Sequence, residues 1–207
     1  ETNRAKQMNL SNIFFPKITR FPDTVYNKKV SLVEGVGEPT LVSDSLIESG
    51  YLLTNIWKAG LKGLLPKHFK PQSILVLGLG GGSNTVLVSK FYPKAKITAV
   101  EIDKQMVDIA NKYFKLNKVK NLKIIVADAK EYVSSLQANS YDLVLVDCFI
   151  GKNIPEALQD IDFISKLYKI SLYTLINRIW YNEHHLETVF FLRKLSRFFP
   201  YIRVQTR

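Results

Sequence analysis

Residues 73–84 read Ser73-Ile74-Leu75-Val76-Leu77-Gly78-Leu79-Gly80-Gly81-Gly82-Ser83-Asn84. The apolar run Ile74 to Leu77 has the character of a strand buried on both faces of a parallel sheet, and it stops at glycine. Glycines let the backbone turn tightly and let a ligand approach without a Cβ in the way, while the start of the following helix supplies backbone N–H donors. Strand, glycine turn and helix in that order predict a nucleotide-binding turn. Its spacing is Gly78-x-Gly80-x-Gly82 rather than the G-x-G-x-x-G of dinucleotide folds, because position 83 is Ser.

Downstream, the pattern predicts further strands at about 97–102, 122–127, 141–147 and 172–177, with a last one near 201–206. Helices are expected between them at about 83–91, 104–115, 129–137, 155–169 and 183–199. Such alternation defines an α/β domain with a mostly parallel sheet and helices on both faces. Upstream, Pro16 and Pro22 break residues 1 to about 28 into an extended arm. A β-hairpin (Val30 to Glu34, Thr40 to Val42) and a helix from about Tyr51 to Leu65 follow, the helix carrying Leu52, Leu53, Ile56, Trp57 and Leu61 near helical spacing. The organisation expected is an N-terminal extension over 1–70 and a nucleotide-binding domain over 71–207 that lacks its last strand. No glycine closes the helix ending near Lys169. A trimmed C-terminus or further residues beyond it would account for that gap and the short C-terminus, and the absence of an initiator Met leads to the expectation of a fragment or a trimmed chain.

Composition narrows the classes. With 46% apolar and 23% charged residues a packed core is expected, and no apolar run approaches the roughly 18 residues of a membrane helix. With no signal-peptide layout and a single cysteine, Cys148, a cytoplasmic protein is expected. The formal charge of +11 would attract nucleic acid at low salt, but the lysines scatter over turns and helix faces, so no dedicated nucleic-acid surface is predicted. The same charge repels a polycation.

Three carboxylates fall at the carboxyl ends of predicted strands, where ligands of open α/β sheets bind. Glu101, in Val100-Glu101-Ile102-Asp103, is placed to accept from both ribose hydroxyls, while Asp103 immediately precedes a helix and suits its N-cap. Asp128, in Val126-Ala127-Asp128-Ala129, can accept from the adenine amine while the Ala129 N–H faces a ring nitrogen; a helix cap is the competing role for Asp128. Asp147 closes Leu143-Val144-Leu145-Val146-Asp147 at the same edge. His184 and His185 are adjacent and lack the i, i+4 spacing of a metal pair, so no metal site is predicted. No His is placed to activate Cys148. Trp180 and Tyr181, just after the fifth strand, could border a substrate pocket.

Through LGLGGGSNT (77–85), AVEIDKQMVDIANKYF (99–114), VADAKEYV (126–133) and YDLVLVDCF (141–149), the chain resembles the spermidine synthase-like branch of class I methyltransferase folds. Val42-Ser43-Asp44-Ser45-Leu46-Ile47-Glu48 is similar to the amine-site segment of that family. The resemblance implies a Rossmann-like fold and S-adenosylmethionine or decarboxylated S-adenosylmethionine as cofactor. It further implies cofactor contacts from Gly78, Leu79, Gly80, Gly82, Glu101, Ile102, Asp128 and Ala129. Asp147 would be the catalytic residue beside the sulfonium, and Glu48 and Tyr51 would bind substrate.

Several departures bear on the reaction. Spermidine synthases usually carry an Asp in the glycine turn, and Gly81 stands there; the second Asp of their D-x-x-D is Ile150, and Glu48 replaces the Gln of their amine site. Losing a positioned proton acceptor costs about 10²- to 10⁴-fold in rate. The expected function is therefore methyl transfer to an unidentified small-molecule acceptor, with polyamine aminopropyl transfer and non-catalytic cofactor binding as alternatives. Ser83, Asp128 and Asp147 disfavour an NAD-dependent oxidoreductase. The exposed hairpin edge offers a surface for a homodimer.

Overall fold

The computed structural model describes residues 15–44, 46–180 and 184–206. Five parallel strands form the main sheet in the order β7-β6-β5-β8-β9. They are β5 (Ser73–Leu77), β6 (Lys96–Glu101), β7 (Leu122–Val126), β8 (Tyr141–Val146) and β9 (Ser171–Ile176). Ile74 and Val76 of β5 pack on one face with Leu53, Trp57 and Leu61 of α1 (Tyr51–Gly63) and with Leu87 and Val88 of α2 (Ser83–Phe91). Leu75 and Leu77 face the opposite way and meet Val133 of α4 (Ala129–Ser135) and Phe163 and Leu167 of α5 (Ile161–Ile170). Burial on both faces explains why Ile74 to Leu77 and Leu143 to Val146 are continuously apolar.

The chain leaves β5 towards β6 and β7, then returns to place β8 on the other side of β5. A crevice opens at such a reversal, beyond the carboxyl ends of the strands.

The N-terminal hairpin is present as β2 (Ser31–Glu34) and β3 (Thr40–Ser43), but it belongs to a four-stranded antiparallel sheet with β1 (Lys17–Arg20) and β4 (Leu46–Ser49). The arm expected over 1–28 thus contains a strand, set between Pro16 and Pro22; residues 1–14 lie outside the described ones. Helix α3 (Lys104–Tyr113) joins the two sheets, burying Val107 and Ala110 against the main core and Met106 and Ile109 against Val30, Leu32 and Leu41.

Near Lys169 no closing glycine is needed, because α5 passes directly into β9. Ser171 Oγ donates to the Leu167 carbonyl at 2.7 Å, satisfying one of the carbonyls a helix end leaves open. The helix expected over 155–169 is divided into a 3-10 turn (Glu156–Leu158) and α5. Helix α6 covers His184–Leu195, shorter than expected. Residues 201–206 form no strand: they carry β-favouring Tyr201, Ile202 and Val204, but they pair with no strand, the free edge of β9 included, and these side chains stay exposed.

Candidate active site

The glycine turn passes through a narrow gap. At Gly78 (φ 82°) a Cβ would lie 2.3 Å from the Asp147 carbonyl oxygen, and at Gly80 (φ 52°) it would lie 2.7 Å from that of Glu48. Backbone is the obstacle in both cases, so only glycine lets the turn sit between the ends of β8 and β4. Ser83, the residue that breaks the dinucleotide spacing, accepts from the Gly50 N–H at 3.0 Å through its Oγ. Its hydroxyl anchors the β4–α1 junction to the start of α2.

Glu101 ends β6, 7% exposed, directly behind this turn. Its Oε2 accepts from the N–H groups of Leu79 (2.8 Å) and Gly80 (3.1 Å), and Oε1 accepts from that of Asp103 (3.0 Å). Burial pushes its carboxyl above the usual range, and the three backbone donors pull it back only in part. A carboxylate offers about four acceptor positions, so one on Oε1 stays available to a ligand hydroxyl. Asp103 takes the capping role, accepting from the Gln105 N–H at 2.9 Å.

Asp147 lies one residue past β8. Its Oδ2 accepts from Trp57 Nε1 (2.8 Å) and Asn84 Nδ2 (3.1 Å), and its Oδ1 from Asn177 Nδ2 (2.9 Å). Burial raises its pKa, opposed by Asn177, Trp57 and Asn84 in that order. Here too a single acceptor position remains, on Oδ1.

Glu48 stands at β4, half-buried as a residue, yet its Oε1 is shut away from solvent and has no hydrogen-bond partner. Burial first, then the charges of Asp147, Glu101 and Asp44, push its carboxyl up to about 8, so it holds its proton at neutral pH. Glu48, Gly80 and Asp147 line one cavity of about 560 Å³. Its walls come from α1, the end of β9, α6 and residues 201–206.

Other predicted residues lie elsewhere. Leu79 is buried in the main core, and Gly82 is the residue from which α2 starts. Ile102, Asp128 and Ala129 sit half-buried along the β6 and β7 ends and do not line the cavity. Asp128 caps α4, its Oδ1 accepting from Lys130 N at 2.7 Å and Glu131 N at 3.1 Å. Tyr51, 73% exposed at the start of α1, is also absent from the cavity wall. Trp180 lines it, whereas Tyr181 lies outside the described residues. Burial holds the Cys148 thiol well above its ordinary pKa, so it is not a ready thiolate. His184 Nδ1 lies 3.3 Å from Glu187 Oε2 and His185 packs edge-on against Trp180, so the adjacent imidazoles serve separate neighbours.

Trp57, Asn84 and Asn177, which surround Asp147, were not singled out from sequence as site residues. Asn177 was within reach: it stands at the carboxyl end of a parallel strand, as Glu101 and Asp147 do.

A glycine turn and edge carboxylates on this sheet define a Rossmann-like domain of the class I methyltransferase type. The model of the spermine/spermidine synthase domain matches residues 63–204, and the chain belongs to that family. It is 37% identical over 97 residues to the polyamine aminopropyltransferase of Vibrio vulnificus, covering 46% of this chain and 32% of that one. It is 27% identical over 164 residues to the eEF1A lysine and N-terminal methyltransferase of Xenopus laevis, covering 72% of this chain and 23% of that one. A solved structure of human methyltransferase-like protein 13 in complex with SAH aligns with a TM-score of 0.62 at 25% identity, over 76% of this chain and 77% of that one. The alignments span under a third of the length of the two curated relatives.

Proposed function

We propose that this chain is a transferase domain that binds S-adenosylmethionine and transfers its methyl group to a small acceptor. The observation that carries the reading is the placing of Glu101 and Asp147, from strands on either side of β5, around a glycine turn that no side chain could occupy. Each carboxylate keeps one acceptor position beyond those used within the chain. The bound sulfonium supplies an activated carbon for in-line attack. Glu101 would hold the ribose, Asp128 and Ala129 the adenine, and Asp147 would orient the nucleophile.

Methyl rather than aminopropyl transfer is favoured by two departures from the synthase pattern. A Cβ at Gly81 would fall 2.6 Å from Ser49 Cβ and 3.0 Å from Phe114 Cε2, so this packing leaves no room for the acidic side chain of the synthases. Ile150, in place of their second Asp, is 45% exposed and can accept no proton. Aminopropyl transfer is the second reading, supported by the identity to the Vibrio vulnificus relative.

Calorimetric titration with S-adenosylmethionine, its decarboxylated form and NADH tests these readings. S-adenosylmethionine is expected to bind tightest, and Glu101→Ala to weaken it by at least about tenfold, the worth of a charge-assisted hydrogen bond. Preference for the decarboxylated donor would instead favour polyamine synthesis. If neither sulfonium binds, the transferase reading is wrong. Binding without turnover against any acceptor would point to a non-catalytic protein.

A further inference from the structure

The cavity beside Asp147 has a mainly apolar wall that includes Leu53, Ile56, Trp57, Trp180 and Phe191. Its volume of about 560 Å³ is that of a small-molecule site. Two polar side chains on this wall have a buried atom without a partner: Glu48 at Oε1 and Arg178 at Nη1.

Arg178 follows Asn177 directly, so the carboxyl end of β9 delivers it to the same cavity. Its Nη2 donates to Gln159 Oε1 at 2.9 Å and its Nε to Thr188 Oγ1 at 3.2 Å, and its guanidinium carbon lies 4.1 Å from the centre of the Phe191 ring. Both hydrogen-bond partners are neutral, and among the described residues no carboxylate lies within ion-pair distance. Burial lowers its pKa to about 10, opposed by the charge of Glu187 from beyond ion-pair distance, and it stays charged at neutral pH.

A buried cation without a direct ion pair is costly and ordinarily draws a carboxylate into contact. Here the carboxyl of Glu48, which shares the wall, is held neutral by its own surroundings, and the hydrogen bonds of Asp147 run to Trp57, Asn84 and Asn177 rather than to Arg178. We propose that the cavity takes an acceptor with a compact apolar body and an anionic group, the anion pairing with Arg178 and the body lying against Leu53, Ile56 and Phe191. This rests on the transferase reading and gives the acceptor of that same site its chemical class. A dicationic polyamine would meet the guanidinium with like charge, and the chain's net charge of +11 opposes its approach as well. An anionic group could also come from the donor, as the amino-acid carboxylate of S-adenosylmethionine.

Both tryptophans of the chain, Trp57 and Trp180, line the cavity, so their fluorescence reports entry of a ligand into the whole chain. 2-Naphthoate and 2-naphthylmethylamine share a ring system and differ in charge; putrescine serves as the dication. Naphthoate is expected to bind, with the naphthyl amine at least about tenfold weaker and putrescine without effect. Arg178→Met should weaken naphthoate by at least about tenfold, and Arg178→Lys should recover part of the loss. Equal or tighter binding of the naphthyl amine, or wild-type naphthoate affinity in Arg178→Met, overturns the proposal. Circular dichroism checks the fold of both variants, and Arg178→Lys keeps the test decisive if the Met variant does not fold. S-adenosylmethionine titrated into the same variants separates the two sources. Weakened donor binding with unchanged naphthoate binding would assign Arg178 to the donor carboxylate and overturn the acceptor assignment. Naphthoate binding by a wild-type chain that binds neither sulfonium would remove the transferase reading and leave the anion site standing.

Discussion

Asp147→Ala is expected to lower the melting temperature by roughly 10 °C as well as to impair transfer. The substitution leaves the Trp57 indole N–H and the side-chain amides of Asn84 and Asn177 facing a hole where a carboxylate had been. Each buried donor stranded in this way costs about 1–3 kcal/mol. For a chain of this size each kcal/mol shifts the melting temperature by about 2–4 °C. Asp147→Asn should cost less, since its amide oxygen still accepts while its NH2 opposes one of the donors. Thermal melts of the two variants and the wild type check the order. A melting temperature within a degree of wild type for Asp147→Ala would mean that the carboxylate does not organise this corner.

These three donors arrive from α1, α2 and the segment after β9, elements far apart in sequence. That distance is why the arrangement around Asp147 was hard to read from the chain alone. Trp57 has the spacing of a core residue, and it is one: the ring packs with Leu53 and Leu61 while the N–H reaches the carboxylate. Helical periodicity reports the first property and is blind to the second. Arg178 was not legible for the same reason, since nothing local says that a cation will be buried without an anion.

The main sheet was far more legible. Ile74 to Leu77 and Leu143 to Val146 carry their burial in their composition, and the glycines between strand and helix mark the turn whatever lies around it. Residues 201–206 mislead in the opposite sense, for a β-favouring run becomes a strand only where the chain lays it along an edge, and here it leaves the free edge of β9 unpaired. Lys17–Arg20 is the converse, a short and largely exposed segment that is a strand because β2 pairs with it. The burial of the Glu48 carboxyl is not legible in its neighbours in sequence. Its Oε1 is buried where the glycine turn and α1 pack against β4, and the turn lies some thirty residues further along the chain.

Glu48→Gln is expected to stabilise the protein at neutral pH and to remove much of its alkaline sensitivity. In the unfolded chain the Glu48 carboxyl ionises near 4.5, and in the folded protein near 8, raised first by burial and then by the charge of Asp147. Between those values the folded state binds a proton that the unfolded state has lost, so stability falls as pH rises, by about 1.4 kcal/mol per unit. The contribution is complete below pH 4.5 and is lost as pH passes through about 8. At pH 7 the accumulated loss is about 3 kcal/mol, which glutamine, shaped like the protonated acid, does not incur. Urea denaturation at pH 5, 7 and 8.5 checks this: the wild type should lose stability across the series and Glu48→Gln should lose much less. Parallel curves would show that the carboxyl titrates as it would in water. The Asp147→Ala background adds a second constraint, because removing a neighbouring negative charge lowers the Glu48 pKa without exposing it. The pH dependence should shrink there but persist, since burial, the larger cause, remains.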